Sequence, residues 1–181
     1  MGVGTTTPSV RLDVNGGWAL EEAVANVQSY EKAFGSLIEY IEQPCTDFAD
    51  LNSLRNNTGI KIAVDESIRK YLAGDLTRIK EVADIAIIKW APTGGITAAL
   101  EVIEKIDLPV VISSALDSSV GISHGLSLAA AVPNLYGACG LGTASLLAGD
   151  VTSDSLIPIN GIINNRKVTP DRIEEFKAES G

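Results

Sequence analysis

Three carboxylates and a lysine close four of the chain's apolar runs. Asp13 ends Val10-Arg11-Leu12-Asp13, and Glu42 ends Leu37-Ile38-Glu39-Tyr40-Ile41-Glu42. Asp65 ends Ile60-Lys61-Ile62-Ala63-Val64-Asp65, and Lys89 ends Ile85-Ala86-Ile87-Ile88-Lys89. A fifth run, Val110-Val111-Ile112, leads into Ser113 and Ser114. A lone carboxylate after a strand usually caps a helix or solvates a loop. Three in consecutive units would repel one another unless a cation sat among them, and a hard divalent ion such as Mg2+ suits oxygen donors. Lys89 at the end of a buried run must find an anion, snorkel to water, or move a proton.

The steps between these four residues are 29, 23 and 24 positions. That is the length of a strand, a helix and two loops, and strict alternation of the two argues a parallel α/β fold. Helix-period patterns cover Trp18–Phe34, Asp47–Asn56, Leu76–Val82, Gly95–Lys105 and Ser118–Val132. Gly35 and Pro133 end the first and last of these. Leu135–Ala138 reads as a sixth strand, followed by Gly140-Leu141-Gly142-Thr143 and a short helix to Leu147. The expectation is a partial (β/α)8-type, TIM-like barrel of about six βα units in residues 1–150, with chemistry at the carboxyl ends of the strands. Residues 151–181 form a separate tail, with a helix expected over Pro170–Glu179.

With 181 residues, 45% of them hydrophobic, the chain can bury one sizeable core. Its net charge of −9 argues against a nucleic-acid partner. No run is long and apolar enough to span a membrane, and Met1–Pro8 lacks the pattern of a signal peptide, so a cytoplasmic protein is expected. Cys45 and Cys139 are too far apart in sequence to suggest a zinc motif or a disulfide framework. His124, the single histidine, lies in an apolar helix and reads as structural. Ser113-Ser114 and Asp117-Ser118-Ser119 offer hydroxyls and amides to a substrate carboxylate; N-capping by Asp117 or Ser118 is the alternative. The Gly140 loop is a weak anion-loop signal, with close packing as the alternative role of its glycines.

Six segments together resemble the enolase superfamily. They are Arg11-Leu12-Asp13-Val14-Asn15-Gly16, Tyr40-Ile41-Glu42-Gln43-Pro44-Cys45, Ile62-Ala63-Val64-Asp65-Glu66-Ser67, Ile88-Lys89-Trp90-Ala91-Pro92-Thr93-Gly94-Gly95, Ser113-Ser114-Ala115-Leu116-Asp117-Ser118-Ser119-Val120-Gly121 and Cys139-Gly140-Leu141-Gly142-Thr143. The resemblance implies Asp13, Glu42 and Asp65 as ligands of one Mg2+ and Lys89 as the catalytic cation or acid/base. It implies Asn15 and Glu66 behind the metal ligands, and Asn15, Ser113, Ser114 and Gly140 near a small carboxylate substrate. The implied chemistry passes through an enediolate. The serine-rich segment and the glycine loop point to a lyase branch that eliminates water from a cyclohexadiene carboxylate in menaquinone biosynthesis. N-acylamino acid racemisation and muconate cycloisomerisation share that intermediate. A rival of another class is an inactive barrel remnant that binds a metal or a partner.

The resemblance also sets expectations about what is absent. A second lysine, in a K-x-K pattern on the strand before Asp13, is not found in Met1–Val10, and Lys61 lies at the wrong end of its strand. On the family's pattern the chain starts at the third barrel strand, without the capping domain toward which the tail would turn. Little dehydratase activity is then expected of the chain alone, and its unfinished sheet edge invites self-association.

Overall fold

Each apolar run becomes a strand parallel to its neighbours. The computed structural model describes residues 9–172, which include β1 (Val10–Asp13), β2 (Ile38–Glu42), β3 (Ile62–Val64), β4 (Ile85–Lys89) and β5 (Val110–Ser113). The intervening helices are α1 (Leu20–Phe34), α2 (Phe48–Asn57), α3 (Glu66–Lys70), α4 (Trp90–Thr93), α5 (Ile96–Ile106) and α6 (Ser119–Ala131). The chain forms two compact units. One runs up to Ala86 and includes Lys105–Leu108; the other comprises Ile87–Glu104 and the residues from Pro109 onward.

In the first unit β1, β2, β3 and the opening residues of β4 pair side by side. Ile41, Ile62, Ala63, Val64, Ile85 and Ala86 are buried, as expected of parallel strands covered on both faces. Helix α1 buries Ala23 and Val27, carries Glu21 and Glu22 in its first turn and Lys32 in its last, and stops at Gly35, whose φ is 51°. It begins two residues later than its apolar spacing predicts, because the Trp18 amide donates to the Pro44 carbonyl (3.1 Å) and is held outside the helix. Helix α2 buries Leu51 and Leu54. The helix expected over Leu76–Val82 is a 3-10 helix at Leu76–Glu81. The Asp75 carboxylate accepts from both the Thr77 amide (3.0 Å) and the Thr77 hydroxyl (2.6 Å), which tightens the first turn.

The β1–β2 ladder contains an irregularity. Val10 pairs with Ile38, but Arg11 pairs with Tyr40, so Glu39 has no partner on β1. Its carboxylate takes the Arg11 guanidinium in a fork, Nε to Oε2 and Nη2 to Oε1, both 2.8 Å. The same guanidinium lies 5.0 Å from the centre of the Tyr40 ring. Beyond the irregularity Leu12 pairs with Ile41 and Asp13 with Glu42.

In the second unit the closing residues of β4 neighbour β5. The segment expected as a sixth strand contributes parallel bridges only, Val110 to Leu135 and Ser113 to Gly140, with Gly137 turned to a φ of 62° between them. Helix α6 buries Ser119, Ile122, Ser123, Gly125 and Leu128. Its small residues permit close contact; a Cβ on Gly125 would lie 2.7 Å from Leu141 Cδ2. The helix expected over Pro170–Glu179 falls mainly outside the described residues, and positions 170–172 are not helical. Among the described residues no helix is long and apolar enough to cross a membrane.

Arg11 holds the Glu39 carboxyl below its ordinary value, chiefly through their hydrogen bonds. A lowered carboxyl stabilises the fold above the unfolded glutamate range and loses that contribution as pH falls through the folded value. Glu39→Gln is therefore expected to lower stability at pH 7 by about 1 kcal/mol. The gap from the parent should close below about pH 4, measured by urea denaturation across pH.

Candidate functional site

The pairing of Asp13 with Glu42 brings two carboxylates to adjacent strands at the same height. Glu42 also pairs with Ala63, two residues before Asp65. In parallel strands paired residues share a face, so Asp13, Glu42 and Ala63 lie on one side of the sheet at its carboxyl end, and Asp65 directly follows the last residue of β3. The loops that follow are tied together. The Val14 amide donates to the Glu42 carbonyl (3.1 Å), Gly16 to the Gln43 carbonyl (2.6 Å), and the Thr46 hydroxyl to the Gly16 carbonyl (3.0 Å). Gly16 has a φ of 73°, and a Cβ there would meet Thr46 Oγ1 at 2.8 Å, so this crossing requires glycine.

Gln43 is the residue that sequence reasoning passed over as part of a loop. It is 1% exposed and all of its amide is used. Nε2 donates to the Cys45 carbonyl (2.9 Å) and to Ser67 Oγ (2.8 Å). Oε1 accepts from the Asp65 amide (3.2 Å) and the Ser67 amide (3.1 Å). The side chain thus ties the end of β2 to the turn carrying Asp65. The available signal was an amide residue directly after a buried strand, where a donor and an acceptor are needed together.

Asp13 and Asp65 engage different partners. Asp13 is exposed, and its Oδ1 accepts from the Asn15 amide (3.0 Å). Asp65 is 3% exposed and lies 3.6 Å from Arg69 Nε, while Arg69 Nη2 donates to Glu66 Oε1 (3.2 Å). The other Glu66 carboxylate oxygen is buried with no hydrogen-bond partner among the described residues. Among the described residues no three acidic, histidine or cysteine side chains are gathered closely enough to hold a metal ion. The chemistry of the donor set suits a hard divalent cation, but the side-chain arrangement here does not assemble it.

In the second unit Lys89 ends β4 and starts α4 directly, and its carbonyl accepts from the Thr93 hydroxyl (2.7 Å). Ser113 and Ser114 both turn to Gly140. Ser114 Oγ donates to the Gly140 carbonyl (2.9 Å), as does the Ser114 amide (3.0 Å), and Ser113 Oγ lies 3.4 Å from the same oxygen. A Cβ on Gly140 would meet Ser113 Oγ at 2.8 Å. Thr143, previously only the last letter of the glycine loop, joins the set by donating to Ser114 Oγ (2.9 Å) and accepting from the Asp117 amide (3.1 Å). The capping expected of Asp117 or Ser118 is supplied by the residue just ahead of the tail. Asp150 accepts from the Ser119 amide (3.1 Å) and from its hydroxyl. Burial pushes the Asp150 carboxyl up, but the hydrogen bonds from Ser119 and Ser155 outweigh it and lower it overall. His124 packs edge-on against Trp90 at 5.1 Å, in keeping with a packing role.

This architecture belongs to a known family. Residues 2–170 match the family described as Enolase C-terminal domain-like, and the chain is a member of it. It is 49% identical over 164 residues to o-succinylbenzoate synthase of Mycobacterium tuberculosis, covering 91% of this chain and 49% of that protein. The chain therefore spans about half the length of the curated relatives it matches. Its fold matches muconate lactonizing enzyme from Pseudomonas fluorescens, complexed with muconolactone, at a TM-score of 0.81 and 22% identity over 93% of this chain and 48% of that one. A dipeptide epimerase from Enterococcus faecalis, complexed with Mg and the dipeptide L-Leu-L-Tyr, gives a TM-score of 0.71 and 26% identity over 82% and 42% of the respective chains. The parallel strands and alternating helices are accordingly part of a (β/α)8-type barrel, as the spacing predicted.

Two outcomes follow from the Gln43 cluster. Gln43→Leu leaves buried donors at Asp65 and Ser67 without their acceptor and is expected to cost about 2–4 kcal/mol in chemical denaturation. Burial pushes the thiol of the neighbouring Cys45 up to about 11. Mass spectrometry after brief iodoacetamide treatment of the folded chain at pH 8 should therefore find Cys45 unmodified.

Proposed function

We propose that this chain supplies the metal-binding and lysine-bearing part of an o-succinylbenzoate synthase, in which residues 1–150 are barrel and 151–181 a tail. The observation that carries this reading is 49% identity to the Mycobacterium tuberculosis synthase across 91% of the chain. Asp13, Glu42 and Asp65 would hold one Mg2+, supported by the ladder position of the first two and by the burial of the third. A bound divalent ion would supply positive charge where the substrate carboxylate gathers electrons.

As the C–H bond beside the carboxylate breaks, its proton passes to a neutral amine, either Lys89 or the second lysine that the family pattern places on the strand before Asp13, and its electron pair moves toward the carboxylate; the same proton later leaves with the hydroxyl as water. Lys89 Nζ, as a cation, opposes that growing negative charge or carries a proton. Return of the electrons expels the neighbouring hydroxyl, which leaves as water with one proton, and the cyclohexadiene ring becomes aromatic. Asn15 and Glu66 orient the carboxylates. Ser113, Ser114 and Gly140 shape the wall beside the substrate, with Ser114 held in one orientation by Thr143 and the Gly140 carbonyl.

The metal assignment is tested on the chain itself. Mg2+ at about 100 times its dissociation constant adds about 2.7 kcal/mol of stability, which is about 5–10 °C in melting midpoint for a chain of this size. Asp65→Ala should lose this rise; an equal rise in the variant would remove Asp65 from the site. The reaction is tested on the chain joined to the portion of the mycobacterial synthase that it does not span. Mass spectrometry should show loss of one water from the cyclohexadiene carboxylate to give o-succinylbenzoate, and Lys89→Ala should lower turnover at least about 100-fold. Undiminished turnover in Lys89→Ala would overturn its catalytic role.

A further inference from the structure

The polar groups where β5 meets the Gly140 loop have few protons between them, and nearly all are committed. Each hydroxyl carries one proton, and a carbonyl can only accept, through two lone pairs. The Gly140 carbonyl receives the Ser114 amide (3.0 Å) and Ser114 Oγ (2.9 Å), which fills both of them. Ser114 has then spent its proton, so the 2.9 Å contact with Thr143 Oγ1 runs from Thr143 to Ser114. Thr143 in turn accepts from the Asp117 amide (3.1 Å). The Gly140 amide is engaged as well, donating to the Ile112 carbonyl (2.9 Å). Ser113 is placed differently. Its Oγ lies 3.4 Å from the filled Gly140 oxygen, farther than O–H···O bonds ordinarily reach. It is half-buried, whereas Ser114 is 6% exposed. Gly140 also leaves that hydroxyl room, since a Cβ there would come within 2.8 Å of Ser113 Oγ.

We propose that the two adjacent serines sort ligand groups by opposite polarity: Ser113 donates to a carboxylate, while Ser114, backed by Thr143, presents only lone pairs and turns an anion away. This deepens the function proposed above and rests on the second unit receiving a substrate carboxylate. A carboxylate at Ser114 meets an oxygen whose proton points to Gly140, and taking that proton strips the carbonyl of a donor. At Ser113 the proton passes from a long contact to a charged acceptor, which binds it more strongly. The group that suits Ser114 is a hydroxyl or an N–H.

The test is NMR titration of the full chain with o-succinylbenzoate, following amide shifts around β5. Ser113→Ala should weaken binding about tenfold, as loss of a hydrogen bond to a charged group does. Ser113→Thr keeps the hydroxyl and should stay within about threefold of the parent, and Ser114→Ala should also lose less than about threefold. The dimethyl ester of the same ligand has no anionic oxygen and should bind the parent and Ser113→Ala alike. Equal losses in Ser113→Ala and Ser114→Ala overturn the sorting. So does Ser113→Thr binding as weakly as Ser113→Ala, or an ester that suffers the same loss as the acid. If Ser114→Ala does not fold, the Ser113 variants and the ester decide. Absence of o-succinylbenzoate binding by the parent overturns the carboxylate reading of the second unit, and this proposal with it.

Discussion

One buried amide determines how the first unit can present its acidic residues. A carbonyl from one loop, a hydroxyl from the first turn of α3, and two amide protons from the junction of β3 and α3 all meet the Gln43 side chain. Their satisfaction inside the protein is an energetic requirement, since each would otherwise lose its water for nothing. With Gln43 in place the turn at Asp65 has one available path, and α3 leaves the strand immediately. The Asp65 carboxylate is buried as a consequence of that path, and its need for a counter-charge follows from the burial.

The second unit solves a similar problem with hydroxyls. The Asp117 amide can only donate and the Gly140 carbonyl can only accept, so the Thr143 and Ser114 hydroxyls between them are oriented from both ends. Asp150, just ahead of the tail, anchors the start of α6, so a loop carboxylate contributes to the order of a serine-rich segment distant from it in sequence. Both units therefore use polar groups from loops to fix strand ends, while the apolar interior fixes the strands themselves.

The sequence was informative where one kind of force decides the outcome. Strand positions follow from apolar runs, and β1, β2 and β4 end at Asp13, Glu42 and Lys89, the residues singled out by type. Spacing predicted the order of the elements, because a strand, a helix and two loops have a narrow range of lengths. The sequence was less informative where a local side chain overrode the pattern. Asp75 converted an expected α-helix to a 3-10 turn, and Gly137 interrupted the expected sixth strand. Short helices α3 and α4 were not anticipated, since five- and four-residue segments carry no period. Without α3 the i+4 relation of Asp65 and Arg69 had no meaning. The roles of Gln43 and Thr143 depend on three-dimensional convergence, which no linear pattern records.

The unpartnered Glu39 in β2 acts on parity. Strand residues alternate between faces, so a ladder has an odd and an even reading, and the extra residue shifts β2 from one to the other. Continued from Val10 and Ile38 without interruption, the ladder would set Asp13 opposite Ile41, and Glu42 would fall one step beyond on the other face. The irregularity makes the two acids neighbours. Geometry at the functional end of the sheet thus depends on a residue at its opposite end: closing the irregularity with Glu39 retained would misalign the two acids without altering either, whereas loss of Glu39 itself would leave a regular ladder with the two still paired.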